Sequence, residues 1–244
     1  MPEGDDNVRD LLAAGADALA EAGFRTGDFS VAREQLEAAQ AEAARGPDLV
    51  ARARALDLLG MLAHYENITS LMGGAAVAPG DIDAEERLFR QALTCWQQAG
   101  APALRAQSLF GLGLVFQVLH SDWNAAMPYY WEALELVSAP GADPEVYLRS
   151  EVHRHVGYYF LVEAGQPAEA VRHLQISLDL REELGDERLT PSGLTALAQA
   201  ELEAGNRQRA TELLRRAVAE SRAAGLLSAR IDAAEKLLAE AENG

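Results

Sequence analysis

An all-α fold follows from three observations on this 244-residue sequence. No stretch sustains the apolar/polar alternation, rich in Val, Ile and Thr, that marks a strand. Ala, Leu, Glu, Gln and Arg fill long windows in which apolar residues recur three and four apart, the spacing of one helix face. Gly and Pro then cut the chain into segments of helical length at Gly46-Pro47, Gly80, Gly100-Ala101-Pro102, Pro140 to Pro144, Gly165-Gln166-Pro167, Thr190-Pro191, Gly205 and Gly225. About eleven helices result, and their short connections make consecutive helices antiparallel neighbours.

Taken in order, a short polar tail precedes a helix that starts near Asn7. Two later helices carry start signals: Asp143 before Pro144 and Thr190 before Pro191 offer an N-cap oxygen ahead of a proline whose missing N–H costs nothing there. The second helix of each hairpin follows a turn and then shows a small residue, a large one four on and a small one three further. The series is Ala32, Leu36, Ala39 after Gly27-Asp28-Phe29; Ala126, Tyr130, Ala133 after Asp122-Trp123; Ala170, Leu174, Ser177 after Gly165-Gln166-Pro167; and Ala210, Leu214, Ala217 after Gly205-Asn206-Arg207. A further copy keeps Phe89 and Ala92 but has Glu85 at the first small position. Small residues let the two helices of a hairpin approach, and the large one is expected to fill the gap to the neighbouring hairpin.

The first helix of each hairpin carries its own signature: Leu56, Leu59-Gly60, Ala63; Leu109, Leu112-Gly113, Phe116; His153, Val156-Gly157, Phe160; Leu194, Leu197-Ala198, Glu201. With these two patterns the chain resembles the tetratricopeptide repeat (TPR) family, whose two-helix unit has the pattern W-x2-L-G-x2-Y…A-x3-F…A. The resemblance covers nearly the whole sequence. It implies one domain, a right-handed superhelical solenoid of about five TPR-like hairpins over residues 7–45, 48–100, 102–139, 144–185 and 190–224, with a cap over 226–242. The last small positions, Ala39, Ala92, Ala133, Ser177 and Ala217, are 53, 41, 44 and 40 apart, against about 34 in the family. These longer repeats resemble those of bacterial regulatory sensors. Pro128 falls inside a helical pattern, where it sits in the first turn or kinks the helix. The cap reads as an amphipathic helix with Ile231, Ala234, Leu238 and Ala241 on one face.

Composition narrows the function classes. There are 38 acidic against 21 basic residues, a net charge of −17, and 49% hydrophobic residues, with a pI near 4.6. Such a surface repels phosphate backbones and anionic headgroups. Direct nucleic-acid binding and membrane-surface binding are not expected, and Lys236 is the only lysine. No run approaches about 18 uninterrupted apolar residues, and no signal-peptide pattern opens the sequence, so a cytoplasmic location is the expectation. Cys95 reads as a small buried hydrophobe.

In a stack of hairpins the first helices line a concave groove. The helical period, anchored on Gly60, Gly113 and Gly157, directs Arg54, Asp57, Met61, His64, Tyr65, Phe110, Gln117, Arg154 and Tyr158 into it, with Thr195 and Gln199 from the fifth hairpin. Aromatic rings with amides and arginines suit an extended peptide or amphipathic helix. A second candidate is the apolar, Gly-rich insertion 67–82, which has two readings, a lid or contact loop or, favoured, a disordered or locally packed loop whose first turn continues the helix.

Catalytic and metal motifs are weak. His153-Arg154-His155 puts two imidazoles two apart, facing different sides of a helix, where chelation wants three or four. Acidic pairs such as Glu201/Glu203 read as solvated faces. The expectation is a non-catalytic protein- or peptide-binding scaffold with no cofactor and no metal. The alternative is a peptide or small-molecule sensor that acts on a separate transcriptional or signalling partner. The aromatic cluster Trp123, Tyr129, Tyr130 and Trp131 has two readings, a self-association face or, favoured, an inter-repeat core around Pro128.

Overall fold

The computed structural model describes residues 3–139 and 145–243. Among these there are eleven α-helices and no strand: α1 (Glu3–Glu21), α2 (Ser30–Ala43), α3 (Leu49–Met72), α4 (Pro79–Gln98), α5 (Arg105–Leu114), α6 (Trp123–Ser138), α7 (Val146–Val162), α8 (Pro167–Leu184), α9 (Thr190–Glu203), α10 (Arg207–Ala223) and α11 (Ser228–Asn243). Helix contacts divide the chain into two units, Met1–Ala142 and Asp143–Gly244. The first holds the hairpins α1/α2, α3/α4 and α5/α6; the second holds α7/α8 and α9/α10, with α11 packed on α10. The cap expected at Asp143 lies outside the described residues. Thr190 is the first residue of α9 rather than its cap, and its neighbour Pro191 still occupies the first turn, where a missing N–H is harmless.

One contact recurs through the hairpins and explains the sequence pattern. The large residue of each second helix lies on the smallest residue of its own first helix. A Cβ placed on Gly15 would come within 2.5 Å of Leu36, one on Gly60 within 2.6 Å of Phe89 and one on Gly157 within 2.7 Å of Leu174. Gly113 meets the Tyr130 ring in the same way, and Ala198 packs with Leu214 in the last hairpin. This corrects the expectation that the large residue fills the gap between hairpins: it closes its own hairpin, and the missing side chain opposite makes the room. Phe89 does both, since its ring also lies on Gly111 of α5. The flanking small residues Ala32, Ala39, Ala92, Ala126, Ala133, Ala170, Ala210 and Ala217 are fully buried.

The turns before the second helices are equally regular. Gly27, Gly165 and Gly205 take φ of +73°, +61° and +82°, a left-handed conformation that glycine adopts without strain. In the third hairpin Ser121 stands at that position, with φ +53°. Asp122 and Asp48 cap the next helices, accepting from Ala125 N at 3.0 Å, and from Val50 N and Ala51 N at 2.9 and 3.0 Å.

The insertion continues the preceding helix, as one of its two readings expects, and its loop is shorter than either. Residues 67–72 continue α3 and residues 79–82 belong to α4, which leaves 73–78 as the connection. Thr69 and Ser70 satisfy their hydroxyls within the helix by donating to the carbonyls of Tyr65 and Glu66, and Pro79 is pre-organised for a helix start. The segment is a helical extension with an exposed apolar tip, Leu71 at 41% and Met72 at 70% exposure.

Pro128 is exposed on α6, beyond its first turn. The segment Pro102–Leu119 has the length and mean hydropathy, 1.2, of a membrane span, although Arg105, Gln107, Ser108 and Gln117 interrupt its apolar residues, and half of it is buried within the fold. Its apolar residues serve the third hairpin, since Leu109, Phe110, Leu112, Leu114 and Val115 are core.

Candidate functional site

The residues expected in the groove separate into buried and accessible sets. Asp57, Met61, His64 and Phe110 are buried and do not line a surface. Their partners lie in their own hairpin and, for Asp57, in the next one as well, because α3 is packed against α1, α2, α4 and α5. Phe110 stacks obliquely on Tyr130, centroids 5.9 Å apart. Asp57 accepts from Trp96 Nε1 of α4 at 2.7 Å and from Ser108 Oγ of α5 at 2.6 Å. Burial raises its pKa to about 7 despite the two donors. His64 Nδ1 is 2.8 Å from Glu85 Oε1, and Asn67 Nδ2 donates to Glu85 Oε2 at 2.8 Å. The departure at Glu85 therefore has a physical role: its carboxylate replaces a small apolar residue and is matched by two polar partners on α3.

Tyr65 and Gln117 are half-buried. Tyr65 stacks on Phe29 at 6.4 Å and covers Gly23, and Gln117 Oε1 accepts from the buried Tyr130 hydroxyl at 2.6 Å. Arg54 is exposed. It lines a cleft of about 430 Å³ between α1, the end of α2 and the start of α3. Val8, Leu12 and Ala43 contribute buried apolar surface to the cleft, and Arg9, Arg45, Glu42 and Asp48 also line it. No periodicity argument reveals this cleft, since its lining comes from three elements.

In the second unit Arg154 and Tyr158 are brought together. The Arg154 guanidinium lies 5.8 Å from the centre of the Tyr158 ring, and the Tyr158 hydroxyl donates to Gln199 Oε1 of α9 at 3.0 Å. Burial holds the phenol above its ordinary pKa. Thr195 instead returns its hydroxyl to Pro191 O of its own helix. Beneath this strip, Arg154 Nη2 donates to Glu151 at 2.9 Å. Glu151 also receives the buried Arg181 guanidinium, which reaches Leu189 O at 2.7 Å and Ser192 Oγ at 2.5 Å. The strip is thus supported by a buried ion pair joining α7, α8 and the start of α9. Glu201, read as solvated, is fully buried, with Asn206 Nδ2 donating to it at 2.6 Å and Arg209 Nη1 3.0 Å away.

His153 and His173 face each other across the α7/α8 hairpin, Nδ1 to Nδ1 at 3.0 Å. Arg172 donates to His173 Nε2 at 3.1 Å, so neutral His173 carries its proton on Nδ1 and donates it to His153. Burial first, and the neighbouring arginines, lower both pKa values to about 4. Two nitrogens sharing one proton are a hydrogen bond between helices, and no group of three His, Cys, Asp or Glu side chains suited to a metal exists among the described residues.

No protein-family model matches the chain, and no curated protein matches it. Solved structures do. BtubC (BKLC) from P. vanneervenii is 17% identical with a TM-score of 0.56, covering 91% of this chain and 92% of its own. A Podospora anserina chain of the kinesin light chain type, with nearly identical TPR-like repeats, is 17% identical with a TM-score of 0.53, covering 90% of this chain and 96% of its own. The fold is a TPR-like helical repeat.

Proposed function

We propose that the chain is a non-catalytic scaffold that binds a protein or peptide partner through the first helices of its hairpins. The observation that supports this most is the strip Arg154, Tyr158 and Gln199. Large amphipathic side chains on two successive first helices are held in place by mutual contacts and by the buried Glu151–Arg181 pair, so a partner meets groups whose ordering is already complete. Affinity capture from cell extract, read by quantitative mass spectrometry, tests it with the wild type beside an Arg154→Ala/Gln199→Ala variant. Partners are expected to fall about tenfold on the variant, the loss of roughly 1.4 kcal/mol, while its helical content stays constant. Retention of every partner by a folded variant removes the strip from the function.

A further inference from the structure

The α3/α4 hairpin is extended at its turn end, and the extra length buries little. α3 runs for 24 residues, against 17 in α7 and 14 in α9. The Arg33–Glu66 ion pair, 2.5 Å, and the Phe29–Tyr65 stack mark the level at which α2 starts. From Glu66, α3 continues for six residues to Met72, about 9 Å at 1.5 Å per residue. On this extension Ile68, Leu71 and Met72 stand three and four apart and so share a face. Ile68 is half-buried, while Leu71 and Met72 are exposed, as are Ala75 and Ala76 in the connection. The charge around this face is one-sided, since no arginine or lysine lies between Arg54 and Arg87. Glu66 is engaged by Arg33, Glu86 by Arg90 at 2.6 Å, and Glu85 by His64 and Asn67. Asp81 and Asp83, both exposed, have no ion-pair partner among the described residues. Asp81 stands in the first turn of α4 and suits the positive end of that helix, whereas Asp83 lies beyond the turn.

We propose that the end of α3 docks an amphipathic helix of a partner protein, its apolar stripe laid on Ile68, Leu71 and Met72 and its lysines or arginines set against Asp81 and Asp83. An exposed stripe at helical spacing accepts a second helix by side-by-side packing, and removing Leu71 and Met72 from water drives the association. The aspartates choose the sign of the partner, because an acidic flank meets like charge with no arginine or lysine of this hairpin end to relieve it. The same reasoning disfavours a second copy, which brings the same two aspartates and a further charge of −17 to the contact. This inference rests on the scaffold reading but uses residues of the first unit rather than the strip on α7 and α9, and the two fail separately.

The test is fluorescence anisotropy on the full chain at about 0.15 M salt, where exposed charges are screened beyond about 8 Å. Three labelled eighteen-residue peptides serve as probes: one with leucines three and four apart on a lysine background, one of the same composition with its leucines spread around the helix, and one with glutamate in place of lysine. The first is expected to bind at least tenfold tighter than the other two. Leu71→Ser/Met72→Ser, which changes no charge and only exposed side chains, should weaken it at least tenfold at constant helical content. Asp81→Asn/Asp83→Asn should also weaken it, at least threefold, while Asp232→Asn/Glu240→Gln, the same charge change at exposed positions of α11, leaves it in place. Equal binding of the spread-leucine or glutamate peptide, binding indifferent to either pair of changes on the hairpin end, an equal loss on neutralising α11, or no binding of any peptide would each overturn the proposal. So would self-association of the wild type in sedimentation velocity that Leu71→Ser/Met72→Ser abolishes, since the occupant is then a second copy. Failure here with partner capture still dependent on Arg154 and Gln199 leaves the scaffold reading intact.

Discussion

Ser121 and Ser177 each stand where the repeat calls for a simpler residue. Ser121 holds a left-handed turn, φ +53°, that Gly27, Gly165 and Gly205 make in other hairpins, and Ser121→Gly should raise unfolding free energy by about 1 kcal/mol in a urea titration. Ser177, fully buried, has a hydroxyl with no hydrogen-bond partner among the described residues. Its Ala counterparts imply that Ser177→Ala stabilises by about 1 kcal/mol, because an unsatisfied buried hydroxyl is lost at little packing cost. The titratable core residues give a pH test with opposite signs. Asp57 has a pKa raised to about 7, so between about 4 and 7 the folded state holds a proton the unfolded state has released, and stability from this group falls as pH rises, by about 1.4 kcal/mol per unit. His153 and His173, lowered to about 4, stay neutral in the fold while the unfolded imidazoles protonate below about 6.5, so their contribution is lost as pH falls. In urea titrations across pH, Asp57→Asn should therefore make the slope of stability against pH more positive between about 5 and 7, and His153→Gln/His173→Gln should make it less positive between about 4 and 6.

At the level of elements, what sequence shows and what it does not divide along one line. The small–large–small series of Ala32, Leu36 and Ala39 or Ala210, Leu214 and Ala217 is legible because it encodes a contact within one hairpin, between residues at fixed local spacing. The surroundings of Asp57 depend on α4 and α5 together, through Trp96 and Ser108, and no helical wheel of α3 carries that information. The same holds for His64, whose partner Glu85 shows in the sequence only as a break in the pattern, and for the cleft assembled from α1, α2 and α3. In the insertion, Gly73-Gly74 and an uncharged run suggest a loop from residue 67, whereas α3 continues to Met72 with the Thr69 and Ser70 hydroxyls satisfied on its own carbonyls, and only Gly73 onward leaves the helix. The glycine contact has a direct consequence: Gly113→Ala forces a Cβ into the Tyr130 ring and should cost about 1–3 kcal/mol by overpacking. Thermal unfolding of Gly113→Ala with and without Tyr130→Leu checks it, the second change recovering part of the loss.

For the whole molecule, the same hairpin contact repeated in both units shows how an alanine-rich chain with 6% aromatic residues builds a TPR-like fold at low identity to its solved counterparts. The fold class is accessible from sequence because repetition multiplies a weak local signal. The expected groove is accessible only in part: Arg54, Arg154, Tyr158, Tyr65 and Gln117 keep some exposure, while four of the nine side chains serve the core. The net charge of −17 also gains a finer meaning, for arginine is retained at the cleft and on the strip while acidic residues such as Glu37, Glu182 and Glu242 occupy exposed faces. In the scaffold proposed above, partners are held by the first helices of the hairpins. Hydrogen–deuterium exchange on the chain, alone and with a partner recovered by capture, tests it most directly. Protection on binding is predicted along α7 and α9 around Arg154, Tyr158 and Gln199, and protection confined to the second helices α8 and α10 would contradict the account.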